Sequence, residues 1–179
     1  MYRYALLAAP LLALGPAAPA EVTQSSAAGF EITQAVTADA PIAQVWETLR
    51  APQRWWDKEH TYSGDSANLY LDSQATGCFC ERLPGKGSIE HAHIVYIQPP
   101  RMMRLVGGLG PLQAEAVNGT LTFKLDQEGA NATRITMTYV VGGYVRAGAD
   151  TLAPKVDEVL ALQMINLKKA AEAPPPTAK

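Results

Sequence analysis

The chain has 179 residues, of which 47% are hydrophobic and 18% are charged, with 15 basic and 17 acidic side chains. A formal net charge of −2 without a dense run of Lys and Arg argues against nucleic acid as a partner. Two cysteines are too few for a disulfide framework, so a hydrophobic core must hold the fold. The length is sufficient for one such core but not for two, which predicts a single domain.

The N-terminus has the pattern of a signal peptide. Arg3 precedes an apolar run at 5–14 that is too short to span a bilayer, and a small-residue cleavage site follows at 18–20. We therefore expect residues 1–20 to be removed on export to a periplasmic or extracellular location. No later segment is long and apolar enough to predict an integral membrane span in the mature protein.

The two ends of the mature chain differ in composition from the part between them. Residues 21–29 are small and polar without periodicity, which predicts a flexible leader. The proline-rich residues 173–179 predict a disordered or polyproline-like tail. The folded domain is therefore expected to cover residues 30–172.

The first half of this domain begins with a strand and a helix. Apolar and polar residues alternate over 30–36, which predicts a half-buried strand. Pro41 then lies in the first turn of a helix that ends at 51–52, with a short helix or turn predicted at 53–57 and a loop at 60–66. The buried stripe of the first helix is expected to consist of Ile42, Val45, Trp46 and Leu49.

Short strands separated by turn signals follow, as in an antiparallel sheet. We predict strands at 68–72, 78–83, 89–98, 102–107, 117–126 and 133–142. Residues 109–116 are ambiguous between a loop and a short helix that could border a pocket. Apolar residues alternate with polar ones in the last two strands, so one face of the sheet should be exposed to water and the other covered.

The last predicted element is an amphipathic helix over residues 151–172. Its apolar stripe consists of Leu152, Val156, Val159, Leu160, Met164 and Leu167. Gln163 projects from the middle of this stripe, where an unpaired amide is costly, so it needs a partner, a water molecule or a ligand. This helix is the only long amphipathic element available to cover the sheet, and the fold class is therefore α+β.

The order of these elements, together with four short segments, resembles the SRPBCC superfamily. The segments are a strand leading into a proline-started helix, a tryptophan pair, the opening of a strand, and two strands joined by a proline turn: 36–46, 55–56, 77–81 and 95–105. The chain is most similar to the polyketide cyclase/dehydrase and lipid-transport branch, or to a related branch of chaperone-ATPase activators. An exported member departs from the cytosolic role of such activators.

This resemblance spans most of residues 30–172 and implies a START-like, helix-grip fold. In that fold a curved antiparallel sheet wraps around a long C-terminal helix, and an apolar cavity between them holds lipids, hormones, polyketides or aromatic ligands. The resemblance implies no cofactor and assigns no catalytic residue to a position in this sequence.

The turn at 84–87 predicts a hairpin whose strands carry both cysteines. A loop of two or four residues would pair Cys80 with His91 and Cys78 with His93 on one face, a weak candidate zinc site. Residues two apart on a regular strand are too distant for an easy disulfide, so we expect two reduced, buried thiols, with a strained or intermolecular bridge as the alternative. Glu81 would lie on the opposite face, and the sequence leaves open which face is inward.

The expected function is binding or transport of a small hydrophobic or amphipathic molecule between sheet and helix. The candidate ligand-binding residues are Trp56, His91, Tyr139, Gln163 and Met164. The alternative is a cyclase, dehydratase or isomerase, with His91 or Glu81 as a weak candidate for moving a proton. A third possibility is a protein-interaction module whose side chains fill the cavity. The oligomeric state is not predicted.

Overall fold

The structure, a computed structural model, describes residues 21–174. The predicted signal peptide at 1–20 and most of the predicted tail at 173–179 lie outside the described residues. Within 21–174, no helix has both the length and the hydrophobicity that crossing a membrane requires.

Eight strands of the described chain form one antiparallel sheet, in the order β1-β2-β8-β7-β6-β5-β4-β3. Their bounds are β1 Glu21–Ser26, β2 Gly29–Ala38, β3 Leu69–Leu71, β4 Cys78–Arg82, β5 Ser88–Gln98, β6 Met102–Val106, β7 Ala116–Gln127 and β8 Thr133–Tyr144. The seven predicted strands are confirmed, with shifts of one or two residues at most of their ends. β2 pairs with β8, so strands from the beginning and the end of the domain are neighbours in the sheet.

Two α-helices of the described chain pack against each other on the inner side of the sheet: α1 (Ile42–Leu49) and α2 (Ala149–Glu172). Short 3₁₀ turns lie between the strands, at Pro52–Arg54, Lys58–His60, Ser66–Asn68, Pro84–Lys86 and Gly110–Ala114. The curved sheet and the long terminal helix form the predicted α+β helix-grip fold.

The prediction of a flexible leader at residues 21–29 is wrong. Residues Glu21–Ser26 form β1, which pairs with β2, and a tight turn joins the two strands. The backbone of β1 occupies the edge of the sheet beside β2, although its side chains are mostly exposed. Its low hydrophobicity concealed the strand, because edge pairing uses main-chain hydrogen bonds and needs little apolar burial.

The inner face of the sheet carries the residues that alternation predicted. Leu121, Phe123 and Leu125 of β7 are buried, and so are Ile135, Met137, Tyr139 and Val141 of β8. Together with α1 and α2 they form one continuous core.

The apolar stripe of α2 divides into two halves. Leu160, Met164 and Leu167 are buried against the sheet, whereas Leu152, Val156 and Val159 near the start of the helix are only partly buried. The C-terminal half is fixed by packing, and the N-terminal half faces a less filled space. The space between the sheet and the first half of α2 is therefore less completely filled than the space beneath the second half.

Candidate functional site

A cavity of about 480 Å³ lies beside the first half of α2. The other walls are the loop that follows Trp56, the loop that leads into the Gly110–Ala114 turn, and His91 on β5. The lining residues are Trp56, Glu59, His60, Thr61, Tyr62, His91, Leu109, Gly110, Pro111, Leu152, Lys155, Val156, Val159 and Leu160. This volume falls within the usual range for small-molecule sites.

The α2 wall of the cavity is apolar because of the spacing of its residues. Leu152, Val156 and Val159 are separated by four and three positions, so their side chains line up on one face of the helix. Trp56 and Leu109 supply apolar surface from the loops opposite. Glu59 and Lys155 are exposed and place charge only where the cavity meets solvent.

A second space between sheet and helices is nearly filled. It measures about 20 Å³ and is bordered by apolar side chains, among them Trp55, Trp56 and Phe123. Trp55 packs edge-on against Phe123 with ring centroids 6.3 Å apart, and Trp56 packs against Phe79 at 5.2 Å. The tryptophan pair thus separates a packed core from the large cavity, with Trp56 facing the latter.

One polar pair is buried in the wall of the cavity. The Nε2 atom of His91 lies 3.0 Å from Oε2 of Glu81, which has no exposed surface. The His91 ring lies between Phe79 and Tyr62, with centroid distances of 5.0 and 6.0 Å. These contacts hold the imidazole in a single orientation.

Glu81 is a charged hydrogen-bond acceptor. Its carboxylate accepts hydrogen bonds from the backbone N–H groups of Ser63 (2.5 Å) and Tyr62 (3.1 Å), in addition to the contact with His91. Burial alone would raise the pKa of Glu81, but the hydrogen bonds from Ser63, Tyr62 and His91 outweigh burial and lower it. The carboxylate therefore ties the loop of Tyr62 to β4.

His91 is a neutral imidazole at neutral pH. Burial lowers the pKa of His91, and the nearby Glu81 carboxylate offsets this only in part. A carboxylate can only accept hydrogen bonds, so Nε2 of His91 carries the ring proton and donates a hydrogen bond to Glu81. Nδ1 is then the unprotonated nitrogen.

A further hydrogen bond joins the two loops across the mouth of the cavity. The Tyr62 hydroxyl donates to the carbonyl oxygen of Gly110 at 2.9 Å, although about half of the Tyr62 side chain is exposed. On the inner side, Trp56 Nε1 donates to the carbonyl oxygen of His60 at 3.0 Å. Both contacts fix loop residues that form the walls.

The hairpin register differs from the prediction at one residue. Cys78 pairs with His93 as predicted, but Cys80 pairs with Glu90, because a β-bulge between Phe79 and Cys80 leaves His91 without a direct partner. The predicted pairing of Cys80 with His91 is therefore wrong. The bulge turns His91 to the same side of the sheet as Glu81.

The prediction of two reduced thiols is also wrong, because Cys78 and Cys80 form a disulfide. Their Cα atoms lie 5.4 Å apart, below the spacing of a regular strand, so β4 is locally contracted between the two cysteines. The weak zinc candidates Cys78, Cys80, His91 and His93 thus do not offer two thiolates, and His93 is half exposed beside Glu90. Among residues 21–174, no group of three potential ligands is placed to hold a metal.

Two of the five predicted ligand-binding residues, Trp56 and His91, line the cavity. Tyr139 instead supports a wall: its hydroxyl donates to the carbonyl oxygen of Gly107 and accepts from the backbone N–H of Leu109. Burial raises the pKa of Tyr139 to about 12, so the phenol stays neutral. A Cβ at Gly119 would lie 2.4 Å from this hydroxyl, so only glycine leaves room for it.

Gln163 and Met164 also lie outside the cavity lining. Gln163 is buried and accepts a hydrogen bond from the backbone N–H of Asp57 at 2.8 Å, while its amide nitrogen contacts Nδ1 of His60 at 3.0 Å. The amide thus finds the partner that its buried position requires. Met164 is buried in the core.

Sequence reasoning missed the lining residues that come from loops. Tyr62, His60 and Leu109 are brought to the cavity by hydrogen bonds to distant residues, and no periodicity marks such positions. The apolar residues of α2 were identified as core, and only the absence of opposing side chains makes Val156 and Val159 part of a wall. The prediction that residues 109–116 could border a pocket is confirmed.

The family model described as "Polyketide cyclase / dehydrase and lipid transport" matches residues 29–172. The chain belongs to this family. The match covers the domain from β2 to the end of α2. Of the two branches that the sequence resembles, it supports the polyketide cyclase/dehydrase and lipid-transport branch. A search of the curated proteins found no match to this chain.

Solved structures of similar fold include CalU16 from Micromonospora echinospora, with 17% identity over 88% of this chain and 87% of that chain, and a TM-score of 0.56. A protein from Arthrobacter aurescens has 16% identity, coverage of 86% and 94%, and a TM-score of 0.56. Protein CV1439 from Chromobacterium violaceum has 13% identity, coverage of 80% and 98%, and a TM-score of 0.55. At these identities the likeness concerns the fold alone.

Proposed function

We propose that this member of the polyketide cyclase/dehydrase and lipid transport family is an exported carrier of a small hydrophobic or amphipathic molecule. The observation that carries the proposal is the cavity of about 480 Å³ between α2 and the two loops, with its mostly apolar lining. Affinity comes from removing apolar ligand surface from water, about 25 cal/mol per Å² before the costs of association.

Export is supported by two features. The signal-peptide pattern of residues 1–20 predicts secretion, and a disulfide such as Cys78–Cys80 persists in an oxidising compartment. Cell fractionation and N-terminal sequencing of the natural protein test this part. A mature protein that begins at Glu21 outside the cytoplasm is the expected result, and an uncleaved cytoplasmic protein contradicts it.

A matched pair of variants on α2 tests ligand binding. Val156→Trp fills the cavity, whereas Ile165→Trp adds the same side chain on the exposed side of the same helix. We expect the uncharged fluorescent probe N-phenyl-1-naphthylamine to bind the wild type and the Ile165 variant, and to lose at least about tenfold in affinity in the Val156 variant. Native mass spectrometry of the purified protein provides an independent search for a retained ligand.

Equal binding by all three proteins places the probe outside the cavity and contradicts the proposal. Circular dichroism and thermal unfolding of each variant establish that the fold is intact before affinities are compared. A wild type that binds no hydrophobic probe supports instead the reading as a protein-interaction module.

A second candidate is an enzyme acting on a hydrophobic substrate in the same cavity. It is favoured by the buried His91–Glu81 pair, because a neutral imidazole oriented by a carboxylate can accept a proton from a bound substrate. Deuterium uptake at the carbon next to the carbonyl of 2-tetralone, followed by NMR, tests this activity. Exchange catalysed by the wild type and lost in His91→Phe, with probe binding retained, favours the enzyme over the carrier.

A further inference from the structure

A buried histidine in the cavity wall has one ring nitrogen that no protein group satisfies. Nε2 of His91 is engaged by Glu81, and within the described residues Nδ1 of His91 has no hydrogen-bond partner. Nδ1 is not fully buried, so it retains contact with open space. Since His91 lines the cavity and is only 6% exposed, that open space is the cavity.

The orientation of this nitrogen is set by groups that hold the ring on three sides. Glu81 has no exposed surface and accepts two backbone N–H groups, which favour the ionised carboxylate, so Glu81 is the acceptor and Nε2 the donor of this pair. Phe79 and Tyr62 flank the imidazole ring. A 180° flip about the Cβ–Cγ bond would place Cε1 where Nε2 now lies and would leave the Glu81 carboxylate without this hydrogen bond, so the observed ring orientation is favoured.

The other polar groups of the inner wall are already engaged. Trp56 Nε1 donates to the His60 carbonyl oxygen, the Tyr62 hydroxyl donates to the Gly110 carbonyl oxygen, and the Thr61 hydroxyl donates to the carbonyl oxygen of Lys58. The remaining polar side chains, on Glu59, His60 and Lys155, are exposed, and Nδ1 of His60 is engaged by the amide of Gln163. Among the buried side chains of the lining, Nδ1 of His91 is therefore the acceptor that has no partner in the described chain.

An acceptor in this setting discriminates between ligands. A wholly apolar ligand removes water from Nδ1 and leaves the nitrogen without a hydrogen bond, which is costly. A ligand carbonyl or ether oxygen at the same place is itself an acceptor and adds repulsion between lone pairs. A ligand hydroxyl replaces the water with a direct hydrogen bond.

We propose that the cavity selects molecules that carry a hydrogen-bond donor, such as the hydroxyl group of a phenol, an enol or an alcohol, on an otherwise apolar frame, and that His91 Nδ1 accepts the hydrogen bond from that group. This inference rests on the proposed ligand-binding function and adds the chemical class of the ligand. His91 acts here as a specificity-determining residue, whether the ligand is carried or converted.

Calorimetric titration with 2-naphthol and 2-methoxynaphthalene tests the inference at neutral pH. The two probes share one apolar frame and differ in whether they can donate. We expect 2-naphthol to bind the wild type at least about tenfold more tightly than its methyl ether, the size expected when a buried acceptor gains or loses its partner. In His91→Phe the preference should disappear, while the methyl ether binds as tightly as before or more tightly.

A measurement on the wild type remains decisive if the variant does not fold. In protein labelled with ¹⁵N-histidine, Nδ1 of His91 should show the chemical shift of an unprotonated nitrogen, and 2-naphthol but not its methyl ether should shift it towards the protonated range. A protonated Nδ1 in the free protein overturns the inference.

The outcomes separate the inference from the function on which it rests. Equal affinities for the two probes overturn the selection of hydroxyl groups and leave hydrophobic-ligand binding standing. Failure of both probes, and of N-phenyl-1-naphthylamine, to bind the folded wild type overturns both proposals.

Discussion

Glu81 connects three parts of the chain through one carboxylate. It accepts hydrogen bonds from the backbone N–H groups of Tyr62 and Ser63 and from the ring of His91. The carboxylate on β4 therefore joins β5 to the loop that follows α1. The two carboxylate oxygens accept from these three donors, and the negative charge of the carboxylate strengthens each hydrogen bond. The stability of the cavity wall should therefore respond to this residue more than to any surface carboxylate nearby.

Glu81→Gln should lower the free energy of unfolding at pH 7 by about 2 kcal/mol, because an amide offers one acceptor oxygen where the carboxylate offers two. The control Glu90→Gln removes an exposed carboxylate from the facing strand and should change the free energy of unfolding by less than about 0.5 kcal/mol. Urea unfolding of the three proteins measures both values. Equal stability of the Glu81 variant and the wild type contradicts the assigned role.

Acid should weaken the wild type through both members of the pair. The pKa of Glu81 and the pKa of His91 are both lower in the folded protein than their ordinary values of 4.5 and 6.5. The unfolded chain then binds more protons, so stability present above pH 6.5 decreases as the pH falls through 6.5 and again below 4.5. Urea unfolding across this range should show the gap between wild type and Glu81→Gln narrowing below pH 4.5.

At the scale of elements, the β4–β5 hairpin and α2 each depend on one irregular feature. The bulge at Phe79 and Cys80 lies inside the ring closed by the Cys78–Cys80 disulfide, so the bridge and the position of His91 are linked. Gln163 in turn connects the middle of α2 to the loop of Asp57 and His60. Neither the bulge nor Gln163 contacts the cavity directly, but each positions residues that line it.

Replacing both cysteines, Cys78→Ala with Cys80→Ala, should lower the free energy of unfolding by about 1–2 kcal/mol, the loop-closure entropy of so small a ring. We also expect the bulge to relax and the ¹⁵N shift of His91 to change. Denaturant unfolding and NMR measure these effects, and adding a reductant to the wild type should reproduce them. Two free thiols in freshly purified, unreduced protein contradict the prediction.

Gln163→Leu should lower the free energy of unfolding by about 1–3 kcal/mol, because the backbone N–H of Asp57 loses its partner in a buried site. Hydrogen exchange at residues 57–61 should accelerate, and probe affinity should fall because the cavity wall loosens. The control Gln127→Leu changes an exposed glutamine at the end of β7, away from the cavity lining, and should have little effect. Unchanged exchange at Asp57 contradicts the role assigned to Gln163.

On the scale of the whole molecule, the helix-grip is packed at one end and hollow at the other. The inward-facing residues of the second half of α2 are buried against the sheet, whereas the first half borders the large cavity. Stability and binding thus belong to different halves of one helix. A ligand that occupies the hollow end should stabilise the fold without changing its topology.

Thermal unfolding measures this coupling. A ligand at 100 times its dissociation constant adds about 2.7 kcal/mol to the stability of the folded state, which should raise Tm by about 5–10 °C for a domain of this size. 2-Naphthol with the wild type should give this shift, and Val156→Trp should show little or none. A shift of the same size in that variant would place the binding site elsewhere.

Local periodicity determined most of the architecture. Alternation in β7 and β8 and the apolar stripe of α2 are properties of neighbouring residues, so the sequence alone predicted the strands, the long helix and the covered face of the sheet. The order of these elements, with four short segments, carried the resemblance to the family. It also predicted that Trp56 and His91 line a cavity. The edge strand β1 escaped prediction because main-chain pairing leaves no hydrophobic pattern.

Tertiary structure decided what periodicity cannot express. The bulge beside Cys80 shifted the register by one residue, and it turned His91 inward to Glu81. Tyr139 and Gln163 were expected to meet a ligand, but hydrogen bonds to residues about 30 and 100 positions away engage them as supports. Whether a buried polar group faces a ligand or the protein depends on contacts between distant segments, which only the folded chain brings together.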